Sequence, residues 1–195
     1  AGMTVTLDSL VYQPGKTADI TTAQMVEIVF NHTKAPAYSR DQVIEIAIAW
    51  ARFSDEFGFP RSQTWGQGPG HETGWFWSRV EINQVHPSQN NWGGLGADNS
   101  GAAGGSFGPK AGLTGFEHGA LAFMCHYALY VFGEPHHWPG TLQKYAPYAY
   151  RLGSVQWAHN NLKKSDGSLL RHLGVVKRIR DFVNGRWAQT DSLPL

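Results

Sequence analysis

The sequence predicts a mainly α chain, α+β overall, in which helices carry the core and a glycine-rich middle forms a small β-hairpin lobe beside a cleft. Three observations predict it. Apolar residues recur at helical spacing, most clearly Ile46, Trp50, Phe53 and Phe57 at intervals of 4, 3 and 4. Start and stop chemistry brackets these stripes: Ser39 with Gln42 is a capping-box pair, and Gly58 with Pro60 and Gly133 with Pro135 are stops. Most of the glycine falls between residues 61 and 112, where loops and tight turns are expected.

Taken in order, residues 1 to about 20 read as an extended arm, with a short strand over Thr4–Leu7 and a turn at Pro14-Gly15. A first helix runs from Thr22 to about Asn31, capped by Thr21 or Thr22, with Met25, Val26, Val29 and Phe30 on one face; Lys34-Ala35-Pro36 ends it. The second covers Ser39 to Phe57. Ser100 to Gly108 is a loop or hairpin tip, read as a cleft edge. A third helix covers Thr114 to Phe132 through Phe116, Ala120, Phe123, Met124, Tyr127 and Val131. A broken segment follows to about Ser154, and a last helix runs from Ser168 to Val183 through Leu169, Leu173 and Val176. The expected organisation is an arm and short helix over 1–38, a core over 39–135 and a helical extension over 136–195, with no internal repeat.

A chain of 195 residues buries a proper core without staples. A formal net charge of +1 gives no field suited to nucleic acid, and Lys177-Arg178-Ile179-Arg180 reads as a solvated helix face. The single cysteine, Cys125, excludes an internal disulfide and reads as an inert buried thiol. His126 beside it points about 100° away on a helix, so the two do not form a thiol–imidazole pair. No segment is apolar enough to span a membrane, and no basic-then-apolar leader stands at the N-terminus. The nine histidines form no His-Glu-x-x-His and no Cys/His cluster, so neither metal nor cofactor is expected. Eight Trp, seven Tyr and ten Phe suit a glycan cleft, because flat rings pack on the C–H faces of sugars.

Two motifs carry chemistry. Gly70-His71-Glu72-Thr73-Gly74-Trp75 sets a carboxylate beside Trp75, Phe76 and Trp77, which would wall it from water. Glycoside hydrolysis needs a proton on the leaving oxygen, and a desolvated carboxyl supplies it. Asn90-Asn91-Trp92-Gly93-Gly94-Leu95-Gly96-Ala97 follows. Its amides offer the donor and acceptor that an acetamido sugar needs, and its glycines allow close backbone approach.

In this order the motifs resemble the glucosaminidase branch of the lysozyme-like superfamily, glycoside hydrolase family 73, over roughly residues 39 to 133. Phe116-Glu117-His118-Gly119-Ala120-Leu121 is similar to a later core helix of that family, and Asn184–Ala188 to a segment near the end of some members. The resemblance implies a lysozyme-like α-helical domain that cleaves the β-1,4 backbone of bacterial peptidoglycan, as an endo-β-N-acetylglucosaminidase acting outside the cell, in the wall or on a virion. It implies Glu72 as general acid and Trp75, Asn90, Asn91, Trp92, Leu95 and Tyr148 along the sugar site.

Two departures stand out. Trp65-Gly66-Gln67-Gly68-Pro69-Gly70 precedes the acid where the family has an Ala-rich helix, and Pro69 removes a helical hydrogen bond. Either the helix starts near Pro69 or the turn is rebuilt. The second carboxylate is Asp98 or Glu81, or else the substrate's own N-acetyl group attacks. Two rival readings are a catalytically weak or inactive glycan-binding component of a virion or cell surface, and a cell-wall amidase or peptidase.

Overall fold

The computed structural model describes residues 12–33, 35–76, 86–96 and 104–149. They are mainly helical. Helix α1 spans Thr22–His32, α2 spans Arg40–Phe57, α3 spans Arg61–Trp65 and α4 spans Gly115–Phe132. Short 3-10 turns cover Pro87–Gln89 and Pro135–His137, and a longer one covers Gly140–Tyr148. The expected strand at Thr4–Leu7 and helix at Ser168–Val183 lie outside the described residues.

The three long helices start by the same device. Thr21, Ser39 and Thr114 each accept from the backbone N–H three residues on, and Gln24, Gln42 and Glu117 reach back to the cap's own N–H. Each box satisfies two N–H groups that a helix start otherwise leaves open. At its far end α2 stops on Gly58 at φ 76°. A Cβ there would lie 2.6 Å from the Tyr12 ring, so the position needs glycine on two counts.

Helix α2 packs against both α1 and α4. Its stripe of Val43, Ile46, Trp50, Phe53 and Phe57 is fully buried. Helix α4 is buried almost all round from Ala120 to Leu129, as expected of a helix that is apolar on every side. The arm closes over one end of α2: the Gln13 N–H donates to Gly58 O at 2.7 Å, and Tyr12 sets its edge on Phe132 at 5.0 Å. The Gly140–Tyr148 turn covers another part of the core, with Tyr145 stacked on Phe57 at 5.4 Å. No described helix is long and apolar enough to cross a membrane.

Between described residues an isolated antiparallel bridge pairs Lys110 with Leu113, closed around Ala111 at φ 51° and Gly112 at φ 82°. Residues 104–107 do run beside the Asn motif, through Gly105 N–H to Leu95 O at 2.9 Å and Phe107 N–H to Gln89 O at 2.8 Å.

Candidate functional site

The acid motif is delivered by α3 and the turn that extends it. Arg61 fixes the start of α3, clamping Asp55 of α2 through Nε at 2.9 Å and Nη2 at 2.6 Å and reaching Ile20 O at 3.1 Å. A buried hydroxyl relay locks α3 onto α2. Trp50 Nε1 donates to Thr64 Oγ1 at 2.9 Å, Thr64 lies 2.8 Å from Ser54 Oγ, and Ser54 donates to Phe59 O at 2.7 Å. Ser54 gives its one proton to the carbonyl, so it is Thr64 that donates to Ser54.

Beyond Trp65 the helix widens into a π-turn over Gly66–Glu72 with Pro69 inside it. This settles the question raised by the Pro-Gly approach. The helix does not begin at Pro69; it runs through, and the wider turn takes up the residue that cannot donate. Gly68 is pressed against the core: a Cβ there would lie 2.6 Å from Trp50 Cη2 and 3.0 Å from Phe123. Glu72 ends the turn half-buried, and Gln67 Nε2 donates to its Oε1 at 3.1 Å.

After Glu72 the chain reverses sharply. Gly74, Trp75 and Phe76 all have positive φ, at 58°, 64° and 59°. For the two aromatic residues this conformation costs about 1–2 kcal/mol each. Their burial offsets it, since Trp75 is 1 % and Phe76 2 % exposed. Thr73 pins the reversal by donating to Pro69 O at 2.6 Å and accepting from the Phe76 N–H at 3.0 Å. Trp75 stacks on His32 at 5.0 Å. His32 Nδ1 lies 2.8 Å from Ile28 O, so that nitrogen carries the proton.

The Asn motif turns inward. Asn90 sits at φ 53° and donates through Nδ2 to Phe107 O at 3.0 Å. Asn91 accepts the Leu95 N–H at 2.8 Å and donates to Leu95 O and Gly105 O at 2.9 and 3.0 Å. Trp92 is buried and donates to Tyr38 OH at 3.2 Å, while Leu95 is buried against Phe107 and Ala122. Burial pushes the Tyr38 hydroxyl up to about 12, so it stays protonated and donates to Pro87 O. These side chains build the loop. Its open side is backbone, since a Cβ on Gly94 would meet nothing within 4 Å. The loop backbone is held as closely from below: a Cβ on Gly119 of α4 would lie 2.4 Å from Asn90 O.

Acid turn and Asn loop meet on one aromatic cluster. Phe76 lies 6.0 Å from Trp92 and 5.3 Å from Tyr38, and Trp50 lies 5.6 Å from Trp65 and 6.0 Å from Trp92. Tyr148 joins from the other side, half-buried, with its ring 5.9 Å from His118 and Lys110 Nζ 5.5 Å from its centre. His118 donates to Gly108 O at 2.7 Å and lies edge-on to Phe107, whose carbonyl holds Asn90. Asp98, Glu81 and Trp77 lie outside the described residues. Gln67, Tyr38 and Trp50 were not singled out as site residues from the sequence; only the spacing of Gln67, one π-turn before the acid, could have marked it.

Among the described residues no group of His, Cys, Asp and Glu side chains could hold a metal ion. Cys125 is buried, its thiol pushed well up by that burial, and lies 3.4 Å from Tyr145 O. No protein-family model, curated protein or solved structure matches this chain.

Proposed function

We propose that the chain is a lysozyme-like, endo-acting glycoside hydrolase of bacterial peptidoglycan, similar to the family 73 glucosaminidases, working outside the cell in the wall or on a virion. Glu72 protonates the leaving oxygen. Asp98 is the proposed second carboxylate, in a small hairpin lobe that completes the cleft. Tyr148 and the open edge of the Asn90–Gly96 loop border the glycan. One observation carries this reading: a half-buried carboxylate ends a π-turn, a strained left-handed reversal follows it, and both pack with the Asn loop on one aromatic cluster. Local strain of this kind collects at functional sites because it fixes a side chain where the unstrained chain would not.

Mass spectrometry of digested sacculi tests it. Purified protein is expected to release fragments with new GlcNAc reducing ends, and Glu72→Gln to lower the rate by about 10²–10⁴-fold without a change in melting temperature. Full activity in Glu72→Gln would overturn the assignment. The open backbone edge at Gly94 favours one second reading, a glycan-binding component without hydrolysis, in which the Asn90 and Asn91 amides hold the loop rather than the sugar. It predicts binding to sacculi with no new reducing ends. A thiol amidase or peptidase is disfavoured by the burial of Cys125, because the nucleophile would have to be a thiolate.

A further inference from the structure

The π-turn has a consequence for the acid itself. In a regular α-helix, residues five apart point about 140° away from each other. An i to i+5 turn brings them onto one face. Gln67 and Glu72 are five apart and are joined by the 3.1 Å contact from Nε2 to Oε1. Gln67 is 6 % exposed, yet its own Oε1 is buried with no hydrogen-bond partner among the described residues. A buried amide with one end engaged and the other idle is uncommon and calls for a reason.

We propose that Gln67 is the positioning residue of Glu72, a buried carboxamide that holds the side chain in one place whether or not it carries its proton. A carboxylate only accepts hydrogen bonds, so it takes the Nε2 donor. A carboxylic acid has an O–H to donate, and a half-turn of the amide presents the idle Oε1 to receive it. One proton joins or leaves Glu72; the amide rotates and exchanges none. The amide is neutral, so unlike a lysine or arginine it adds no charge of its own that favours the ionised form. The floor beneath is rigid, with Gly68 against Trp50 and Phe123 and Pro69 O held by Thr73 and the Trp75 N–H. The backbone between donor and acid therefore does not follow the proton. Its catalytic meaning rests on Glu72 being the acid; the coupling itself does not.

NMR titration of the full chain, with labelled Glu carboxyls and Gln side-chain amides, reads the coupling directly. The Gln67 amide signals are expected to shift with the same midpoint as the Glu72 carboxyl, and to stop titrating in Glu72→Gln. A Gln67 amide that stays still while Glu72 titrates would overturn the proposal. In Gln67→Met, which keeps the volume, the Glu72 midpoint is expected to rise because the charged form loses its donor, and kcat on sacculi to fall about 10- to 100-fold with KM unchanged. An unshifted midpoint in folded Gln67→Met would also overturn it; if that variant does not fold, the wild-type and Glu72→Gln titrations decide. Co-titration in a protein that digests no sacculi would sink the hydrolase reading and leave the coupling standing. Glu72-dependent digestion without co-titration would do the reverse.

Discussion

Helix α2 and the Gly66–Phe76 segment lie against each other and are built on opposite terms. Helix α2 obeys every local rule: a reciprocal cap, an apolar stripe in register, a left-handed glycine stop and a proline beyond it. The segment breaks several within eleven residues: proline inside a helical turn, three consecutive left-handed residues of which two are aromatic, and a buried acceptor left idle. Such a segment persists only where its surroundings over-determine it. Trp50 belongs to both, as the centre of the α2 stripe and the surface on which Gly68 rests.

Removing that shared ring is therefore the largest test. Trp50→Ala should destabilise the protein by about 3–5 kcal/mol in denaturant titration, losing the acid turn together with the helix packing. Acid offers a second lever. Burial pushes the His126 imidazole on α4 down to about 4 from an ordinary 6.5. The folded protein thus keeps it neutral while the unfolded chain takes up a proton. Stability is whole above pH 6.5 and falls as pH drops towards about 4, by on the order of 3 kcal/mol. Urea midpoints at neutral pH and near ~pH 4 should differ accordingly, and by much less in His126→Gln. That separates an acid loss of the core from any titration at Glu72. The smallest test sets one polar contact against another. Thr73→Val leaves Pro69 O and the Phe76 N–H without the hydroxyl between them and should cost about 1–3 kcal/mol and most of the proposed wall-lytic activity. Ser39→Ala, at an exposed cap, should cost about 1 kcal/mol and leave activity unchanged. Equal effects on activity from the two would erase the distinction between the regions.

The same contrast explains what could be read in advance. The three long helices were legible to within a residue because caps, stripes and stops are local signals, and Ser39, Gln42 and Gly58 act as their types predict. The π-turn was not, because Pro69 alone reads as a break; the widening that admits it depends on Trp50 and Phe123, distant in sequence. The Asn motif showed its residues but not their direction. Nothing local says that the carbonyls of Phe107 and Gly105 will occupy the Asn90 and Asn91 amides. No sequence period ties Tyr148 to His118 either.

The capping boxes also bear on the order in which the molecule is assembled. Helices α1, α2 and α4 carry their own start signals and can begin to form from neighbouring residues alone. The Glu72 turn has no side-chain cap and takes its shape from a floor that exists only once α2 and α4 have met. We infer that the candidate acid is the late product of folding, present in no intermediate that has helices but no packed core. Pulse-labelling hydrogen exchange should find the Trp75 and Phe76 amides protected after those of α2; simultaneous protection would mean the turn helps to bring the helices together.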